Sequence, residues 1–156
     1  MAYEADEAVP SKAAIAGHPI HPMLIPFPIA FLVGALASDL GYWGSGDPFW
    51  ARGSLWLAGA GLVTGAIASL FGLIDFLGLR RVRELTSAWL HFLGNGVALL
   101  LTLWSVLHRY DDPVAGVLPT GIILSVAVAS ILVVTGWLRG ELSYRHRVGV
   151  MERTRG

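Results

Sequence analysis

Four apolar runs, separated by short polar or glycine-rich breaks, organise the chain: Met23 to Leu40, Leu55 to Leu79, Ala88 to Leu107 and Val117 to Leu138. Each suits the roughly 17–25 residues that an α-helix needs to cross a bilayer, the first near the lower end. Pro26 and Pro28 fall in the first turns of the first run, where a missing backbone donor costs least. Gly41 to Arg52 reads as a loop, with Gly44, Gly46, Asp47 and Pro48 as breakers. Its aromatics Tyr42, Trp43, Phe49 and Trp50 suit a membrane–water interface. Thr86 or Ser87 is placed to cap the third helix, and His108 to Pro113 is a polar turn. Residues 1–16 read as a disordered tail, 17–150 as a four-helix transmembrane domain and 151–156 as a C-terminal tail. The expected fold is all-α: an integral membrane four-helix bundle, up-down-up-down.

Small residues recur four apart in every run: Ala30, Gly34, Ser38; Gly61, Gly65, Ser69; Gly94, Ala98, Thr102; Gly121, Ser125, Ala129. In lipid, helices associate by close backbone approach at such positions. The stripes predict a compact bundle, and they would also serve a homo-oligomer.

Composition supports the membrane reading. Only 14% of residues are charged and 54% are hydrophobic, whereas soluble domains carry about 25% charged residues. Eleven basic and eleven acidic residues balance, so no basic surface argues for nucleic acid. With no cysteine, the chain has no disulfide, thiolate metal site or thiol nucleophile. Four spans put both termini on one side, and most Lys and Arg fall there, leaving Arg52 and Arg109 on the other. The positive-inside rule then sets both termini in the cytoplasm. Ala35-Leu36-Ala37 resembles a signal-peptidase site, but the acidic tail and the two prolines argue against cleavage.

The polar residues inside this apolar frame carry the candidate chemistry. Gly17-His18-Pro19-Ile20-His21-Pro22 places two histidines three apart, each before a proline. A polyproline-like path would set both imidazoles on one side of a rigid lip. His91 and Asn95 are one helical turn apart on a face that continues through Ala98 and Thr102. Alternation of the spans brings Asp75 to the same level, and Glu141, Tyr144 and His146 follow the fourth span. Ionisable groups at membrane depth are costly and are usually functional or paired. Asp75 could instead pair with Arg80 or Arg83, and Asp39 is expected to cap a helix or pair with Arg52. His108 suits a helix C-terminus at the interface.

Imidazoles bind transition metals, and bundle interiors hold cofactors. His18, His21 and His91 are therefore the expected ligands of a metal or the axial ligands of haem b, with Asp75 and Asn95 orienting the imidazoles. Gly94 and Ala98 would leave room for a macrocycle. Bound haem would make the protein a one-electron carrier with a redox partner in the membrane. The rival reading makes the polar layer a hydrogen-bonded clasp in a non-catalytic protein that presents its basic tail to a partner or to lipid. A small transporter or a proton pathway through Asp75 and His91 is a third class. No metalloprotease, phosphate-loop or nucleophile motif appears.

Three stretches resemble domain of unknown function 2231, a bacterial family of four-span membrane proteins. They are Gly17 to Pro28, Phe71-Gly72-Leu73-Ile74-Asp75, and Gly136 to Val150. His91 with Asn95 fits the family's third helix. The resemblance implies a bacterial inner membrane. It also implies a redox neighbourhood, since some relatives carry a Rieske-type iron–sulfur domain. This chain departs at Pro26, where many members have a histidine, and at Arg147, where glycine is more usual.

Overall fold

The computed structural model describes residues 11–16 and 18–144, with 141–144 described by their backbone. Two short strands, β1 (Ala14–Ile15) and β2 (His18–Pro19), pair antiparallel. The helices follow: α1 (Ile20–Leu24), α2 (Pro26–Ser45), α3 (Pro48–Gly78), α4 (Arg80–Arg83), α5 (Thr86–Arg109) and α6 (Ile122–Tyr144). A looser helical turn, Val117–Gly121, leads into α6, with Leu118 off helical geometry. Four helices are long and apolar enough to cross a membrane. Their outward faces are apolar: Trp56 and Trp137 are 78% and 79% exposed, as lipid-facing side chains are.

Helices α2 and α6 end beyond the expected runs, α3 begins before its run, and α5 exceeds its run at both ends. Gly41 to Arg52 is not a loop. Helix α2 continues to Ser45, Gly46 closes it in the left-handed region (φ 68°), and α3 starts at Pro48. Asp47 caps α3 by accepting a hydrogen bond from the Phe49 amide at 2.9 Å. A breaker-rich string is satisfied by a two-residue corner because the glycine supplies the positive φ, and the proline needs no donor at a helix start. Gly41 lets Trp50 cross it: a Cβ there would lie 2.8 Å from the indole. The interface aromatics thus sit on helices.

The histidine–proline lip is also not one extended ribbon. His18 is in β2, whereas His21 lies in the helical turn α1. Pro19 is the N-cap residue of α1 and Pro22 falls in its first turn, positions that require no amide donor. The two imidazoles therefore do not share a side. Residues 11–16, expected in a disordered tail, are folded: the Ile20 amide donates to the Ala13 carbonyl at 2.9 Å, and Ala13 is buried.

Small residues bring the helices together as their spacing suggests. A Cβ on Gly61 would meet Leu32 at 2.6 Å, one on Gly65 would meet Leu99 at 3.0 Å, and one on Gly94 would meet Thr135 at 2.6 Å. Gly94 therefore serves the α5–α6 contact rather than making room for a macrocycle.

One end of the bundle is locked by an ion pair that the sequence reading did not assemble. Arg109 donates to Asp39 through Nη1 at 2.6 Å and Nη2 at 2.9 Å. Ser54 and Ser125 donate to the same carboxylate at 2.5 and 2.6 Å, and each hydroxyl oxygen accepts from the guanidinium. Asp39, Ser54 and Arg109 are fully buried. Asp39 thus pairs with Arg109 and not with the exposed Arg52. Gly121 makes room for the guanidinium: its Cβ would lie 2.7 Å from Arg109 Nη2.

Candidate functional site

The opposite end holds a cavity of about 440 Å³, a size typical of small-molecule sites. Ser11, His21, Asp75, His91, Asn95 and Arg139 supply its polar lining at the bundle's end, its mouth, together with apolar Leu79, Val82 and Ala88, and Pro28, Ile29, Leu32, Ala98, Leu99 and Leu132 line it nearer the bundle centre. From His91 to Leu99 it runs about 12 Å along α5 at 1.5 Å per residue.

His21 and His91 are held in one way. His21 Nδ1 contacts the Ala68 carbonyl of α3 at 2.7 Å, and His91 Nδ1 contacts the Thr135 carbonyl of α6 at 2.9 Å. A carbonyl oxygen only accepts, so each Nδ1 carries its proton and donates. In the neutral ring the lone pair then sits on Nε2, the arrangement that metal-ligating histidines use. Gly72 makes space for the His21 ring, because a Cβ there would lie 2.9 Å from it. The Asn95 amide donates to the His91 carbonyl at 2.7 Å and, more weakly, to His91 Nε2 at 3.3 Å. The ring centroids of His21 and His91 are 6.3 Å apart with perpendicular planes.

The other expected site residues are placed differently. His18 is exposed, donates through Nδ1 to Ala16 O at 3.0 Å, and is not on the cavity wall. The predicted trio of histidines is a pair, because the turn at Pro19 carries His18 away from α1. Asp75 does not orient an imidazole. Its carboxylate accepts from the Ser11 hydroxyl at 2.7 Å, the Lys12 amide at 2.8 Å and the Ala13 amide at 3.0 Å. It latches the strap formed by residues 11–13 to α3, and Ser11 lines the cavity beside Pro19. Arg80 pairs instead with Glu84 at 3.4 Å on the surface. His108 is exposed at the end of α5. The side chains of Glu141 and Tyr144, and all of His146, lie outside the described residues. Arg139, which lines the cavity, went unnoticed in the sequence because it reads as the first charge of the basic tail.

The latch has a testable consequence. Hydrogen bonds to a charged acceptor are worth about 1.5–3 kcal/mol each, and an amide in place of the carboxylate cannot accept all three. Asp75→Asn is expected to raise the rate of tryptic cleavage after Lys12 by at least about tenfold, since cleavage follows the population of the opened segment. Equal rates in both proteins would show that the carboxylate does not hold the strap.

The donor set can be matched to the groups expected from sequence. Two metal–imidazole bonds placed in line, each about 2.0–2.1 Å as for zinc, hold ring centroids about 6 Å apart once half of each ring is added. The His21–His91 separation fits. Among the described residues no group of three or more His, Cys, Asp or Glu could hold a metal ion, so the structure does not assemble a protein-only coordination shell there. A group that carries its own metal ligands would need only these two imidazoles from the chain. Ala98 and Gly96, both on the cavity wall, leave space on α5 beside them.

A family model described as a predicted membrane protein (DUF2231) matches residues 17–152. No curated protein and no solved structure matches the chain.

Proposed function

The chain belongs to the DUF2231 family of predicted membrane proteins, and on that premise we propose that it is a membrane-embedded haem b protein with His21 and His91 as axial ligands. One observation carries the reading: two half-buried imidazoles with centroids 6.3 Å apart both spend Nδ1 on backbone carbonyls, which turns Nε2 to the acceptor form, with only a long 3.3 Å contact from the Asn95 amide on that of His91. A bis-imidazole haem supplies one-electron transfer. The chain's own residues hold the two rings, the apolar lining would take the macrocycle's apolar edge, and Ser11 of the Asp75-latched strap would stand beside it. Asn95 helps to hold the His91 ring. The excess of Lys and Arg at this end supports a cytoplasmic-side cavity by the positive-inside rule, in keeping with a bacterial inner membrane. A redox partner would then dock within the bilayer or at that face.

The test is a reduced-minus-oxidised visible spectrum of detergent-purified protein expressed with ample haem, with metal analysis of the same sample. A Soret band with sharp α and β bands is the expected result. Stoichiometric metal without haem would keep the site and change its chemistry. A silent, metal-free protein would overturn the proposal and favour the structural reading, in which the same Nδ1 bonds merely tie α1 to α3 and α5 to α6.

A further inference from the structure

Arg139 is a charged residue of the cavity wall that ring ligation leaves unused. It follows Thr135, whose carbonyl holds His91, by one helical turn toward the end of α6, and it lines the same cavity. It is within electrostatic reach of His21, His91 and Asp75. Asp75 lines the same cavity, yet each of its oxygens already accepts from Ser11, Lys12 or Ala13. No hydrogen bond joins Arg139 to another described residue. A cation held at the mouth of a mostly apolar cavity, with the neighbouring carboxylate engaged elsewhere, is a receptor for an anionic edge on an otherwise apolar ligand. Guanidinium pairs with carboxylate through two parallel hydrogen bonds.

We propose that Arg139 is a carboxylate-binding residue of this cavity and that its occupant is an amphiphile, acid at the mouth and apolar body toward Leu99 and Leu132. The inference rests on the haem reading and deepens it: it sets the orientation of the macrocycle, with its propionates toward Arg139 and its vinyl edge in the apolar depth. Reversal would bury two carboxylates against leucines, at the high cost of unpaired charge in an apolar medium.

The experiment titrates the purified apoprotein with haem and with haem dimethyl ester, which keeps iron and macrocycle but has no free carboxylate. Binding is read from the Soret band. The wild type is expected to bind haem at least about tenfold more tightly than the ester. Arg139→Gln should weaken haem binding by a similar factor and barely change ester binding, and Arg139→Lys should restore part of the preference. Equal affinity of the wild type for both compounds would overturn this inference alone, whatever the folding of the variants. Preference for haem that survives in a folded Arg139→Gln protein would also overturn it. Failure of both compounds to bind the wild type would overturn the haem reading, and this inference with it.

Discussion

Asp39→Ala is expected to destabilise the bundle more than any other single change away from the cavity, by about 3–5 kcal/mol. The magnitude follows from what remains behind. Arg109 is fully buried, and among the described residues Asp39 is its only charged partner. Removing the carboxylate leaves a cation in an apolar interior with two serine hydroxyls for company, and a buried charge without its counter-ion is the expensive case. Arg109→Ala should cost a similar amount for the mirrored reason. Ser54→Ala removes one neutral donor to a charged acceptor and should cost about 1.5–3 kcal/mol at most. The decisive comparison is Asp39→Leu with Arg109→Met together. Replacing both ions by apolar groups leaves nothing unpaired, so the double variant should recover most of the loss. Thermal or SDS-induced unfolding in mild detergent, followed by circular dichroism, reads all four. Asp39→Ala within about 1 kcal/mol of wild type would contradict a buried pair.

This network shows where sequence reasoning stopped. Alternation of the spans alone puts the end of the first, the start of the second, the end of the third and the start of the fourth at one level. Asp39, Ser54, Arg109 and Ser125 stand at those four places. The same logic correctly gathered His21, Asp75 and His91 at the other end. Arg109 was missed because it stands among His108, Tyr110, Asp111 and Asp112 and reads as part of an exposed turn. Whether a residue at a helix end faces the axis or the lipid depends on helix rotation, which the corners set and composition does not. The four spans, their small-residue contacts and the His91–Asn95 pairing were legible, since hydropathy and four-residue spacing act locally. The strap was not. Its order comes from three donors meeting one carboxylate more than sixty residues away in the chain, a contact that no local pattern announces.

The histidines give the second large expected effect, and it separates a pair from a trio. His21→Ala and His91→Ala should each abolish the low-spin b-type spectrum, because an axial pair ceases to be one when either member is lost. Each variant also removes a second hydrogen bond to a helix carbonyl, Ala68 O or Thr135 O, and so should show a modest loss of thermal stability, about 0.5–1.5 kcal/mol. His18→Ala should change neither quantity: its imidazole is exposed, it bonds only Ala16 O, and it is absent from the cavity wall. The contrast matters because all three were equal candidates by residue type and spacing. If His18→Ala removes the spectrum and His21→Ala spares it, the strap and α1 exchange roles in the bound state. If His21→Ala and His91→Ala lower stability while a wild-type spectrum persists, the iron is ligated elsewhere and the two Nδ1 bonds are structural. Adding imidazole to the alanine variants sharpens the result. A free imidazole entering the space left by a lost ring should restore the spectrum of a ligand variant, whereas it has nothing to restore where the ring served only as a strut.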